Sequence, residues 1–275
     1  MHQPSQIATK AVLSFQDISK VFGGLVALDG VSGHVRTGEI LGIIGPNGAG
    51  KTTLFNIVCG AFAPTGGEIS FHDQIITALP CHHIANLGIA RTFQNIRLFR
   101  RMTVLENVLV GRHRKASAGL VEAVLRLPRM RREERQLRED ALAYLDTVGL
   151  ADQANALAGS LTTGQQRLLE IARALAAEPE VILLDEPAAG LNTRETQALA
   201  EFIRRMQQEL GLTIMLIEHD MRLLMEVSER VLVIDRGRKI AEGSPSQVQA
   251  DPKVIAAYLG DEFAVNSAAP GRQQL

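Results

Sequence analysis

The sequence predicts an α/β fold: a mostly parallel sheet, an antiparallel β subdomain near the N-terminus and an α-helical subdomain inserted part-way along the chain. Three observations predict it. Short strands punctuated by glycine fill the first forty or so residues. Apolar residues recur at helical spacing from 103 to 177. Beyond 180, buried-type strands alternate with helices, the pattern that builds a parallel sheet.

Taken in order, residues 12–18, 27–28 and 31–35 read as strands, with Gly23, Gly24, Gly30 and Gly38 between them. The apolar run 39–44 reads as a buried strand and 52–58 as the opening of a helix, with a tight loop between. In the inserted block, Leu137, Ala141, Tyr144, Leu145 and Val148 share one helical face, as do Leu168, Ile171, Ala172 and Leu175. Strands return at 181–185, 213–217 and 230–234, separated by helices near 195–210 and 221–227. Asp235, Arg236 and Gly237 then turn the chain into a last short strand at 239–242. The expected division is one domain over 11–260, with 11–93 and 178–260 as core, 94–177 as the helical subdomain and 261–275 as a flexible tail.

Composition bounds what such a fold can do. At 275 residues and 46% hydrophobic content, the chain can bury a core in one domain or two closely joined lobes. No stretch approaches the ~18 consecutive apolar residues of a membrane span, and the start lacks the basic-then-apolar plan of a secretory signal, so a cytosolic chain is expected. Cys59 and Cys81 have neither zinc-ligand spacing nor disulfide density and read as reduced thiols. His82 and His83 are neighbours that should point apart on a helix, which argues against a metal. A net charge of −1 hides an asymmetry: residues 97–138 carry twelve Lys/Arg against four Asp/Glu. That segment could meet anionic lipid, nucleic acid or an acidic partner, or simply be a solvated helical face. Aromatic content of 4% and the absence of Trp argue against nucleic acid, which is bound through stacking platforms.

The chemistry starts at Gly45, Pro46, Asn47, Gly48, Ala49, Gly50, Lys51 and Thr52, which fit G-x-x-x-x-G-K-[ST] between a strand and a helix. This is the phosphate-binding loop of a P-loop NTPase. Its glycines let successive N–H groups converge on phosphate oxygens, and the helix N-terminus adds unpaired donors. Lys51 supplies positive charge to the β- and γ-phosphates, Thr52 is the expected Mg2+ ligand, and Thr53 completes the nucleotide-binding set. Further on, the buried run 181–184 delivers Asp185 and Glu186 to a strand's C-terminal edge, where ligands of parallel sheets bind. Asp185 suits Mg2+, and Glu186 suits the polarisation of an attacking water. A helix cap is the competing role, but Pro187, Ala188, Ala189 and Gly190 delay any helix to near Thr193. His219 ends another strand; a lone histidine there is ordinarily structural, and the competing role, raised by its expected place beside the Asp185 strand, is to donate to a γ-phosphate and sense it.

In this order the motifs resemble an ABC transporter ATP-binding subunit across roughly residues 12 to 260, with a RecA-like P-loop core. The resemblance implies ATP and Mg2+ as cofactors. It places Phe22 on the adenine ring, with core packing as the competing role, and makes Gln94 the hinge glutamine that approaches Mg2+ and water. The family's signature, usually L-S-G-G-Q, corresponds to Leu161, Thr162, Thr163, Gly164 and Gln165, with threonines at two positions. There a helix N-terminus without nearby acids would face the nucleotide of an opposing subunit. Ala189, Gly190, Leu191 and Asn192 match the inter-subunit loop, with Asn192 where aspartate is commoner. Several local stretches look like the larger ATPase subunit of branched-chain amino-acid (LIV-type) uptake systems: 91–99, the basic insertion 112–138, 185–192, 217–221 and 257–260.

That likeness implies a second ABC ATPase subunit as partner in a heterodimer, two integral membrane permease subunits and, indirectly, an extracytoplasmic solute-binding protein. No nucleic acid is expected, and the chain should sit peripherally on the cytoplasmic face of the inner membrane. ATP would close the ATPase pair and hydrolysis release it, with residues 94–101 passing the motion to the permease. The rival is a soluble ABC-type ATPase acting on nucleic acid or ribosomes, but tandem cassettes, zinc modules and long coiled coils are missing. A GTPase is weaker still, for want of an Asn-Lys-x-Asp motif.

Overall fold

The computed structural model describes residues 10–112 and 128–258. The middle of the basic segment 97–138 and the expected tail lie outside the described residues. Along the chain run β1 (Ala11–Phe22), β2 (Leu25–Arg36), β3 (Ile40–Ile44), α1 (Lys51–Val58), β4 (Gly66–Phe71), β5 (Gln74–Ile75), α2 (Cys81–Leu87) and β6 (Ile89–Arg91). Then follow α3 (Val104–Arg112), α4 (Pro128–Thr147), α5 (Thr163–Leu175), β7 (Val181–Asp185), α6 (Thr193–Leu210), β8 (Thr213–Ile217), α7 (Met221–Val227), β9 (Arg230–Asp235), β10 (Arg238–Gly243) and α8 (Pro245–Gln249). Two compact units form, one from Met1–Cys81 with Thr213–Leu275 and one from His82–Leu212.

In the first unit, an antiparallel sheet has the order β2-β1-β4-β5. The separate short strands expected at 12–18, 27–28 and 31–35 are in fact one hairpin of two 12-residue strands, closed at Phe22↔Leu25. Register shifts between Phe15 and Ile18 and again up to Val21 break the in-out alternation, so a continuous strand reads as fragments. Asp17, at φ 49°, sits in the first of these irregularities. The unit's other sheet runs β10-β9-β3-β8, with β3 parallel to both β8 and β9 and every residue of β3 buried.

A buried ion pair ties β2, β3, β9 and β10 together. Arg230 donates from Nε to Glu39 Oε1 at 2.7 Å, from Nη2 to Glu39 Oε2 at 2.8 Å and from Nη2 to the His34 carbonyl at 2.7 Å, and it also pairs with Glu242. Burial alone would push the Glu39 carboxyl up. The Arg230 hydrogen bonds, the Arg36 N–H and the nearby positive charges more than reverse this and hold it below the usual carboxylate range.

In the second unit β6 pairs with β7 in parallel, with Arg91 opposite Leu183. Between 94 and 177 the described helices α3, α4 and α5 pack on one another. Ala141, Leu145 and Val148 of the face read from sequence are buried, as are Leu169, Ile171, Ala172 and Leu175, while Leu168 is only half-buried. Arg112, buried at the end of α3, pairs with Asp140 and Glu178. One expectation fails at α2: the exposed His82 and His83 rings do not point apart but lie 4.3 Å centre to centre. At a helix's first turn the side chains are not confined by a preceding turn, so adjacent rings can rotate together.

Candidate functional site

The residues expected to bind nucleotide, 45–53, Phe22 and His219, lie in the first unit. Buried β3 ends at Ile44, and the chain turns through the loop into α1, whose N-cap is Gly50 at φ 107° with no side-chain cap. The first-turn N–H groups of α1 are therefore not taken up by a capping side chain, and this suits them to an anion. Two glycines are demanded by contact. A Cβ at Gly45 would stand 1.9 Å from the Ile234 carbonyl oxygen, and one at Gly50 would stand 2.6 Å from that of Ala27. Lys51 is buried and curls over its own loop, Nζ donating to the carbonyls of Gly45 at 2.6 Å and Pro46 at 2.9 Å. Those bonds hold the ammonium at the loop's mouth.

His219 stands at the same sheet edge. Ile43 of β3 is level with Ile217 of β8, so Gly45 and His219 each lie two residues beyond paired positions. The His219 side chain is exposed, and the residue's backbone N–H donates to Glu218 Oε2 at 3.1 Å. Phe22 is 44% exposed at the end of β1, which removes core packing as its role. It meets Phe62 edge-on at 5.4 Å between centroids, and Lys20 Nζ stands 5.1 Å from each ring. Phe22, exposed and backed by the half-buried Phe62, offers a flat ligand an aromatic face.

The residues expected to serve hydrolysis lie in the second unit, at and near the end of β7. Asp185 is 1% exposed and its Oδ2 accepts from Arg91 Nη2 at 2.6 Å, while its Oδ1 is buried without a hydrogen-bond partner. An orphaned carboxylate oxygen is a fit place for a hard cation, and Mg2+ needs only one or two protein carboxylates beside phosphate and water. Thr52 and Gln94 are the other sequence candidates for that ion. Glu186, also buried, sits in the left-handed region at φ 51°, an unusual backbone for a non-glycine residue that re-aims its side chain. Gln94 donates from Nε2 to Glu186 Oε2 at 2.8 Å, so the glutamine expected at the hinge touches the candidate base directly. Neither acid caps a helix, because α6 starts at Thr193 under a capping box of Asn192 and Glu195.

The signature segment opens α5. Thr162 is its N-cap, accepting from the Gln165 N–H at 3.3 Å, and Gln165 Oε1 accepts from the Thr162 N–H at 3.0 Å. Leu161 is buried below, whereas Thr162 and Thr163 are exposed. Thr163 thus occupies the first helical position without disturbing the cap. The expectation of a helix start without nearby acids needs correction. None lies in the first turn of α5, but a side chain at Gly164 would come within 3.0 Å of Glu195 Oε1, carried there by α6.

Arg91 was not among the sequence candidates. Its pairing with Asp185 depends on the register of the three-residue strand β6 against β7, and the only sequence signal was an arginine three places before Gln94.

A P-loop at the end of a buried parallel strand, with paired acids closing a second strand, defines a nucleoside-triphosphatase. Residues 28–189 match the family model for the ABC transporter, and residues 238–264 match that for the branched-chain amino acid ATP-binding cassette transporter. The chain belongs to the ABC transporter ATP-binding family; it binds ATP and is an ATPase. It is 45% identical to the high-affinity branched-chain amino acid transport ATP-binding protein LivG of Escherichia coli K12, over 92% of this chain and 99% of that one. The same figures hold for BraF of Pseudomonas aeruginosa. Among solved structures, an ABC transporter's ATP-binding cassette in its ADP conformation superposes with a TM-score of 0.80 at 34% identity, covering 92% of this chain and all of that one. A dimeric post-hydrolysis cassette bound to ADP and Pi gives a TM-score of 0.72 at 26% identity, covering 85% and 98%. ABC ATPases dimerise and act with membrane permease subunits.

Proposed function

We propose that this chain is the ATP-hydrolysing subunit of an importer for branched-chain amino acids or related solutes. The observation that carries this is the 45% identity to LivG and BraF along nearly the whole of all three chains. The separate match at 238–264 supports the same solute class. The chain would sit at the cytoplasmic face of the membrane, paired with a second ABC ATPase and two permease subunits, and would act indirectly with an extracytoplasmic solute-binding protein. No helix among the described residues is long and apolar enough to cross a membrane, so contact would be through permease subunits. Within the domain 11–260, residues 94–177 would be the helical subdomain, and 94–101 the part that meets the permease.

In this reading Phe22 stacks on adenine, while the N–H groups of Gly45, Asn47, Gly48, Ala49, Gly50, Thr52 and Thr53 hold the phosphates with Lys51, and Pro46, which has no N–H, shapes the loop around them. Thr52, Asp185 and Gln94 would hold Mg2+, which would supply charge neutralisation for the phosphates. Glu186 takes the proton of the attacking water, Gln94 holds the Glu186 carboxylate in place, and His219 donates to the γ-phosphate. Thr162 and Gly164 close over the partner's nucleotide, so hydrolysis requires the dimer.

Uptake of labelled leucine by a bacterium lacking its LivG-type ATPase tests the proposal. Wild type should restore uptake and co-purify with the permease, whereas Lys51→Ala should not restore uptake beyond background. Restored transport of an unrelated solute only, or salt-sensitive nucleic-acid binding without permease association, would overturn it.

A further inference from the structure

Three charged residues three apart on α5, Arg167, Glu170 and Arg173, share one helix face, and all three grip the backbone of residues 93–97. Glu170 Oε1 accepts from the Phe93 N–H at 3.4 Å and the Arg97 N–H at 3.3 Å, on either side of Gln94. Arg167 donates to the carbonyls of Phe93 at 2.9 Å and Gln94 at 2.5 Å, and Arg173 donates to that of Arg97 at 2.5 Å. The loop's peptide groups are thus held through both N–H and C=O by the helix that Thr162 caps. Glu170 is the centre of this arrangement: 2% exposed, 3.5 Å from Arg167 and 3.8 Å from Arg173. Its Oε2 is buried with no hydrogen-bond partner. A carboxylate so placed costs desolvation that an apolar side chain would avoid. What an apolar side chain would lack is the bond to the two amides flanking Gln94.

We infer that Glu170 is a positioning residue for hydrolysis: with Arg167 it makes the Gln94 loop and the signature helix one rigid piece. Engagement of Thr162–Gln165 with a partner's nucleotide and placement of Gln94 against Glu186 then become a single motion. Burial pushes the Glu170 carboxyl above its usual range, against the Arg97 N–H and the charges of Arg173 and Arg167. The inference rests on Glu186 as the base. Wild-type turnover by Glu186→Gln would remove that base, whereas an inert Glu186→Gln beside a fully active Glu170→Leu would sink this inference alone.

The test compares Glu170→Leu and Glu170→Gln of the full chain by steady-state ATP hydrolysis and by amide hydrogen exchange. Glu170→Leu should lower kcat by roughly tenfold with KM for ATP within about twofold, and should speed exchange at Phe93 and Arg97 while α5 stays protected. Glu170→Gln keeps an oxygen for both amides and should hold kcat within roughly threefold. In a Gln94→Ala background, Glu170→Leu should cost less than about a further twofold, because the two lie on one path. Wild-type kcat in Glu170→Leu, equal losses in the Leu and Gln variants, or a full additional loss on Gln94→Ala would overturn the inference. Should Glu170→Leu not fold, the wild-type chain decides: protected Phe93 and Arg97 amides support the clamp, and amides exchanging at open-chain rates refute it.

Discussion

Gln94 and Glu186 are joined by a 2.8 Å hydrogen bond across 92 residues of sequence, amide to carboxylate, where the loop after β6 meets the end of β7. The bond fixes where the Glu186 carboxylate points. Glu186→Gln should therefore cut ATP turnover by at least about 10²-fold with ATP affinity within roughly twofold. Rapid hydrolysis by that variant would remove Glu186 from the role of base.

Lys51 bonds two carbonyls of its own loop and stands where the β- and γ-phosphates are expected. Lys51→Ala should weaken ATP binding by roughly 10- to 100-fold, the range of a lost hydrogen bond to a charged group. Titration with a fluorescent ATP analogue reads this directly, and unchanged affinity would move the phosphates elsewhere.

Gly45 admits no side chain, since a Cβ would overlap the Ile234 carbonyl at 1.9 Å. Gly45→Ala must displace either the loop or β9. We expect a loss of at least about 2 kcal/mol in urea unfolding, with weakened ATP binding. A variant with wild-type stability and affinity would contradict the loop geometry.

Arg91 is the counter-ion of Asp185, both buried. Arg91→Met leaves the carboxylate buried beside an apolar chain, a loss of about 3–5 kcal/mol by analogy with broken buried pairs. Denaturant melts in the absence of nucleotide test it, and a loss under about 1 kcal/mol, as for exposed pairs, would mean that Asp185 does not need this arginine.

Glu39 makes the acid limb of stability predictable. Its folded-state pKa is lowered, so its contribution is complete above the ordinary carboxylate value and is lost as pH falls through the lowered one. Glu242 is lowered by Lys239 and Arg230 despite its own burial and adds in the same sense. Glu229 is raised, by burial and by the neighbouring Glu39 charge, and opposes them by favouring the folded state when protonated. Glu39→Gln should flatten the fall in unfolding free energy between about pH 6 and pH 3. An equally steep acid limb in the variant would count against the Glu39–Arg230 pair as its source.

What was legible in the sequence was whatever depends on neighbours in the chain. The phosphate loop needs only a strand, three glycines, a lysine and a helix start in succession. The acids at 185 and 186 needed only an apolar run before them, and the helices only their 3.6-residue period. The β1–β2 hairpin reads as fragments in the sequence because its register shifts erase the alternation that reveals a strand. Tertiary structure alone decided the pairings of Arg91 with Asp185, Gln94 with Glu186, Glu170 with the 93–97 backbone and Glu39 with Arg230. Each joins residues some 73 to 191 positions apart. Such contacts are set by strand register and helix packing, and no local periodicity encodes which distant partner a buried charge will meet.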